Sequence, residues 1–368
     1  MKILAVGTLL SLQCQISLAW LASTPGRRLQ RTSVYNIPPP SEESVAEFTE
    51  YSSKLSPPSS FFELQQDSIR ATRLALKDGH KLLEIEFPPL PASVLEMDDV
   101  SAYDVAEANV NLALEFSKGL LTATKDSETQ LRKIAIMLPD EAELDIIKEK
   151  IGTTDPYPGV TISSLRKSDP DDTRIFKPEQ LLLSLFGNSP GTVTGVDEAD
   201  MYICLIASAQ ELPDIEELHG LDPQKPVVCY NMKLDILRGD LGAPAFPGKD
   251  LHDRFLSRIK PVYYLRTRQY SRSTPNPPFM VNYQGCLFRT YPGEYQTLLD
   301  TGTGRYRRIV GNKIRPSLGT FKEQLTDELK KQGVVQDEGS ALEWLRTGYK
   351  TTTWWEEDRE QASDAWVT

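Results

Sequence analysis

Val227-Val228-Cys229-Tyr230 is an unbroken apolar run, entered from Pro226 and left at Asn231. A strand with water on one face alternates apolar and polar residues; a run that is apolar at every position has both faces covered, as in a parallel sheet between two helical layers. Upstream, residues 81–87, 133–138, 160–164 and 200–207 read as further strands. Helical patterns separate them. Ser60 opens one in which Phe62, Ile69 and Leu76 share a face, with Glu63 placed to complete a capping box. Ser101 and Asp104 cap the next, and Val105, Leu112, Phe116 and Leu120 form its stripe. Pro139-Asp140 begins a third, closed by Gly152. Residues 178–186 and 212–218 read as two more. Strand and helix in alternation predict an α/β fold, a mostly parallel sheet with helices on both faces.

Beyond residue 260 the pattern changes. Residues 262–266, 279–283, 287–291, 295–299 and 306–310 read as short strands separated by turns, an antiparallel C-terminal extension of the sheet. A helix over 318–331 follows, then a short one at 341–345. The expected organisation is one α/β domain over 58–350 with an acidic tail over 351–368.

The first 57 residues read as an address. Lys2, the apolar run 3–12 and Ser17-Leu18-Ala19 have the three-part form of a signal peptide over 1–19. Residues 20–57 read as transit peptide and linker. Trp20 follows the expected cleavage point, Arg27, Arg28 and Arg31 come next, and the first acid of the chain is Glu42. Such a tandem resembles the bipartite presequence of complex algal plastids and implies a stromal destination. Everything before about residue 55 is expected to lie outside the fold. The longest later apolar run, 201–209, is half a membrane span, so no transmembrane segment is expected.

With 52 acidic against 41 basic side chains in 368 residues, 39% hydrophobic and 25% charged, the composition is that of a folded soluble chain rather than a disordered, collagenous or disulfide-rich one. Four cysteines without a C-x-x-C pair exclude a zinc ribbon, and His80, His219 and His252 lie in unrelated segments without metal spacing, as turn or surface residues. Gly187-Asn188-Ser189-Pro190-Gly191 has the spelling of a nucleophile elbow, but Pro190 lacks the backbone N–H that the oxyanion hole requires. No phosphate loop and no dinucleotide fingerprint follows any predicted strand. The motifs call for no catalytic residue, cofactor or metal.

Charge is laid out unevenly. Arg254, Arg258, Lys260, Arg266, Arg268, Arg272, Arg289, Arg305, Arg307, Arg308, Lys313 and Arg315 face only Glu294 and Asp300 within their segment. Ten arginines to two lysines suit bidentate grip on carboxylate or phosphate. Two readings stay open. In one, the arginines neutralise the acidic remainder inside the fold. In the other, Arg254, Arg258, Arg272, Arg289, Arg305, Arg307 and Arg308 form a basic face, interleaved with tyrosines, for an anionic partner: an acidic protein segment, a lipid headgroup in peripheral membrane contact, a nucleotide or RNA. RNA has least support, since no RNP or KH motif accompanies the patch, and DNA is not expected.

Ligand crevices in open α/β sheets lie beyond the carboxyl ends of parallel strands. The strand ending at Asn231 runs into Lys233, Asp235, Arg238 and Asp240, with Gly239 and Gly242 allowing close backbone approach. Arg266 and Arg268 are expected on a neighbouring strand, facing the same crevice. The alternative is a structural network in which Asp235 and Asp240 hold these arginines.

Several stretches resemble one plastid and cyanobacterial family. They are Pro226-Val227-Val228-Cys229-Tyr230-Asn231-Met232-Lys233-Leu234-Asp235, Leu237-Arg238-Gly239-Asp240-Leu241-Gly242, Lys260-Pro261-Val262-Tyr263-Tyr264-Leu265-Arg266-Thr267-Arg268 and Asn282-Tyr283-Gln284-Gly285. That family is a domain of unknown function. It includes the Low PSII Accumulation factor three of chloroplasts and the C-terminal domain of a chloroplast adenylate kinase. The resemblance spans residues 61–355. It implies a non-enzymatic stromal factor that assists photosystem II assembly by binding assembly intermediates or insertion machinery, or, alternatively, a nucleotide- or phosphate-binding enzyme. It supplies no catalytic residues.

Overall fold

Leu82–Glu86 forms β1, buried at all five positions, and the rest of the sheet assembles on either side of it. The computed structural model describes residues 39–52, 57–95, 97–167, 191–243, 246–274, 277, 279–303, 305–335 and 361–368, although not the side chains of 50–52, 92, 93 and 240. The signal and transit readings over 1–38, the helix expected at 178–186, the elbow-like Gly187–Pro190 and the short helix at 341–345 lie outside the described residues.

The remaining strands are β2 (Ile134–Leu138), β3 (Val160–Ser164), β4 (Arg166–Lys167), β5 (Thr192–Val193), β6 (Met201–Cys204), β7 (Val227–Tyr230), β8 (Lys260–Ser273), β9 (Met280–Thr290), β10 (Tyr295–Asp300) and β11 (Tyr306–Asn312). With β1, eight of them make one nine-stranded sheet in the order β11-β10-β9-β8-β1-β7-β6-β2-β3, and β4 and β5 pair separately. From β3 to β8 every pairing is parallel; β8, β9, β10 and β11 pair antiparallel. This is the expected α/β class with its antiparallel extension.

The helices are α1 (Glu42–Ser52), α2 (Phe61–Lys77), α3 (Ala92–Leu95), α4 (Ala102–Thr124), α5 (Glu141–Ile151), α6 (Leu212–Leu221), α7 (Leu234–Asp240), α8 (Asp250–Arg254) and α9 (Leu318–Lys331). Their starts follow local chemistry. Ser101 and Asp104 form a full capping box on α4, and Asp140 Oδ1 accepts from the Glu143 N–H at the start of α5, 3.0 Å away. On α2, Ser60 accepts from Glu63 N as expected, but the Glu63 carboxylate takes the N–H of Ser59 rather than Ser60.

Alternation along β1 sends its side chains to two layers. Leu83 and Ile85 join Leu74 of α2 and Phe116 and Leu120 of α4 in one core. Leu82 belongs to a second core with Leu212 and Ile215 of α6, Leu251 of α8, Phe255 and Leu256. A third, with Phe321, Leu325 and Leu329 of α9, packs on Tyr264, Tyr283 and Leu287. Between the second and third cores, on the same face of the sheet, stands the buried carboxyl of Glu84.

Three expectations are corrected. The segment before residue 55 is not wholly outside the fold: Ser44 Oγ donates to Asp78 Oδ1, Lys77 pairs with Glu43 and Arg73 with Glu47, which fastens α1 to the end of α2. The short strands expected over 262–291 are instead two long ones, because cross-strand pairs such as Gln269–Gln284 and Ser271–Asn282 carry the pairing through polar sequence. The acidic tail returns to the domain. Trp366 and Ala365 are buried, and Arg315 N donates to the Val367 carbonyl. Among the described residues no helix is long and apolar enough to cross a membrane.

Candidate functional site

The carboxyl ends of β1, β7 and β8 meet around one carboxylate. After β7 the backbone turns through two left-handed residues, Asn231 (φ 52°) and Lys233 (φ 53°), before α7 begins. Asparagine enters this region readily; lysine does so at a cost of about 1–2 kcal/mol. The end of β1 holds the turn. Asn231 Oδ1 accepts from Phe87 N at 2.9 Å, its amide donates to Asn109 Oδ1, and Lys233 N donates to Glu86 Oε2 at 2.9 Å. Asp235 is thereby placed one residue into α7, against β8.

Asp235 is buried and collects charge from four directions. Oδ1 accepts from Arg238 Nη1 at 2.9 Å. Oδ2 accepts from Arg315 Nη2 and from the Tyr264 hydroxyl, each at 2.6 Å, and from Arg268 Nη2 at 3.4 Å. Arg266 Nη1 lies 3.2 Å from the same oxygen. Arg238 turns its other end to Glu84, 3.6 Å away. Trp366 lies along Arg238 and Arg315, with guanidinium carbons 5.3 and 5.9 Å from the ring centre.

The three acids respond differently. Burial alone would raise the Asp235 carboxyl, but Arg315, Arg238 and Arg266 outweigh it and hold the group well below the carboxylate range. Glu84 is raised by burial against the pull of Arg238 and Arg315. Glu86 is pushed up to about 7 by burial and then by Glu84, with the Lys233 N–H opposing. Asp235 is therefore the acid that anchors the arginines.

Of the residues expected at the crevice, Asp235, Arg238, Arg266 and Arg268 are brought together. Asn231 and Lys233 form the turn beside them, and the side chain of Asp240 is not described. Two details differ from expectation. β8 does not adjoin β7, because β1 lies between them, and the arginines reach Asp235 past the end of the shorter strand. Gly239 is not required for close approach, since a Cβ there would meet open space; Gly242, at φ 82°, does need its left-handed freedom.

The expected basic face is dispersed. Arg289 is buried, because β9 points it under the C-terminal segment, where Nη2 donates to the Thr368 oxygen. Arg254 pairs with Glu216 and Asp250, Arg307 with Glu328 and Arg308 with Glu294. Arg258 and Arg272 are half-buried and Arg305 is exposed. The histidines are buried rather than on the surface: His80 contacts the Tyr291 hydroxyl and His252 meets the edge of Trp366. Cys204, Cys229 and Cys286 are free and buried, and among the described residues no cluster of metal-ligating side chains occurs.

The sequence reading missed Glu84, Glu86, Tyr264 and Trp366 as members of the site. Two of them left a trace: in Leu82-Leu83-Glu84-Ile85-Glu86 two acids share one face of an otherwise apolar strand, and a charge so placed requires a partner.

An open α/β sheet with an antiparallel extension and a buried arginine–carboxylate cluster at its strand ends defines the class. A family model described as a domain of unknown function (DUF1995) matches residues 58–323, and the chain belongs to that family. No curated protein matches the sequence.

Proposed function

We propose that the chain is a plastid stromal accessory factor that binds a protein client, a thylakoid membrane-protein assembly intermediate or its insertion machinery, without covalent chemistry of its own. The observation that carries this reading is the β8–β9 ribbon. β1 pairs with β8 only as far as Tyr264, and β10 pairs with β9 only from Gly285 on, so the ribbon outruns both neighbours. α9 supports one face of it through Tyr270 and Tyr283. At its end Phe279 is 62% and Met280 55% exposed, and Phe279 has a left-handed backbone (φ 55°). An aromatic residue held both in strain and in water is a contact awaiting a partner.

Two experiments bear on this. Phe279→Asp with Met280→Asp is expected to leave stability within about 0.5 kcal/mol, while cross-linked recovery of thylakoid membrane-protein intermediates from illuminated plastids falls at least tenfold. Equal recovery by the variant would remove the ribbon from the account. Residues 1–60 fused to a fluorescent protein are expected to carry it into the plastid of an alga with a complex plastid; secretion or retention in the endoplasmic reticulum would reject the stromal assignment.

A second reading, nucleotide or phosphate handling related to the adenylate-kinase-fused domain, is favoured by the four guanidinium groups gathered at the strand ends. Titration with ATP, AMP and orthophosphate separates the two. Micromolar binding with turnover would replace the accessory-factor reading.

A further inference from the structure

The ladder between β1 and β8 stops for a chemical reason. Asn231 N donates to the Ile85 carbonyl, so Ile85 bonds toward β7, and Glu84 and Glu86 bond toward β8. The next position directed at β8 is Pro88, which has no N–H to donate. The phase of β8 is set from its other side. Tyr291 N donates to the Val262 carbonyl in the register of the β8–β9 pair, so even-numbered residues of β8 bond to β9 and odd-numbered ones turn outward. Beyond Leu265 the outward N–H and C=O groups are those of Thr267, Gln269 and Ser271. Among the described residues no strand pairs with them. From Leu265 to Ser271 this edge runs for about 20 Å.

Arginines stand over it. Arg266 and Arg268 share one face of β8, and both direct their guanidinium groups past the end of β1 to Asp235. Their hold on it is thin. Arg268 Nη2 reaches Asp235 Oδ2 only at 3.4 Å, and Arg266 Nη1, 3.2 Å away, makes no hydrogen bond. The same oxygen already accepts from Arg315 and Tyr264 at 2.6 Å. A guanidinium carries five N–H donors, so most of those on Arg266 and Arg268 are unspent. The two side chains are 20% and 22% exposed, which leaves these donors within reach of a partner.

An open strand edge is a template for another chain, through main-chain bonds that are blind to sequence. Charge supplies the selection. Alternate residues of a strand share a face, so a strand added beside β8 places every second side chain at the guanidinium groups. Carboxylates there accept charge-assisted bonds; lysines there are repelled.

We propose that the free edge of β8 is a docking site for an extended acidic segment of another protein, which adds as a strand in line with β1 and sets carboxylates two residues apart against Arg266 and Arg268. The proposal rests on the reading that the chain binds a protein client, and it gives that client a chemistry. It makes no use of Phe279 or Met280, so the cross-linking experiment and the one below fail separately.

The probe is a fluorescently labelled, amide-capped heptapeptide, Thr-Glu-Val-Glu-Val-Glu-Thr, titrated into the full chain and read by anisotropy. It should bind at least tenfold more tightly than the peptide with lysine in place of each glutamate, and than the same acidic peptide N-methylated throughout. Arg268→Gln should weaken it at least tenfold. So should Thr267→Pro, which removes an outward N–H and leaves the bonds to β9 in place. Should Thr267→Pro not fold, the N-methylated peptide on the unaltered chain carries the same comparison. Absence of binding overturns the proposal. Equal binding of the acidic and lysine peptides, or of the plain and N-methylated ones, overturns it too. A dimer of the free chain that Thr267→Pro converts to monomer would assign the edge to a second copy instead, with the same result.

Discussion

Asp235→Ala should destabilise the protein by about 3–5 kcal/mol, because it strips the shared carboxylate from arginines that stay buried. Arg315 and Arg238 are the residues most affected: both are buried, and both direct donors at Asp235. A loss of that size is a large part of the 5–15 kcal/mol or so that ordinarily holds a domain together. Arg266→Ala should cost only about 1–2 kcal/mol, since it removes one charged contact and leaves Asp235 bound to three other arginines. The full penalty of an unpaired buried carboxylate therefore does not arise for Arg266→Ala. Urea midpoints at constant slope measure both values. A loss under 1 kcal/mol for Asp235→Ala would show that the cluster contributes little to stability. The dependence on pH follows from the direction of each shift. Asp235 is lowered from 3.8, so its contribution is complete above that value and is lost as pH falls below it. Glu86, raised from 4.5 to about 7, acts in the opposite sense: the folded chain keeps a proton that the unfolded chain releases, and stability declines as pH rises between those values.

Trp366→Ala should cost about 3–5 kcal/mol, the range for a large aromatic side chain removed from a packed site. A residue in a solvated tail would change stability by no more than about 0.5 kcal/mol. The difference arises because the indole covers Arg238 and Arg315, and its Nε1 donates to Gln361 Oε1 at 2.7 Å. Thermal melts give the magnitude. Hydrogen exchange over 361–368 shows whether the whole segment leaves with the ring. A small change in both would mean that the fold does not depend on this segment.

β2, β6 and β7 were legible because burial on both faces writes itself as a continuous apolar run, as in Val227–Tyr230. α9 was legible to the residue: Ser317 caps it and its apolar positions repeat with helical spacing. The β8–β9 ribbon was not, because Arg268, Gln269, Ser271 and Arg272 are carried by cross-strand pairing, which one strand's pattern does not disclose. The site was half legible. The loop after Asn231 announced itself by its mixture of charge and by its place at a strand end. That Glu84 and Glu86 reach it from the first strand, and Trp366 from the last described segment, follows from chain closure over long separations, which no local window contains.

The placement of β1 also fixes the order in which the molecule can be built. Its neighbours on the two sides are β7, where Leu82 meets Val227, and β8, where Leu83 meets Lys260. The first strand of the sheet in sequence is thus among the last to gain both partners. A chain delivered from its N-terminus holds this five-residue strand without a sheet partner until Val227 has followed, and with a single partner until Lys260 has. Closing loops of that size makes folding slow and all-or-none rather than stepwise from the N-terminus. Arg266 and Arg268 arrive with β8 in the same event, so Asp235 gains these two partners only as the sheet closes.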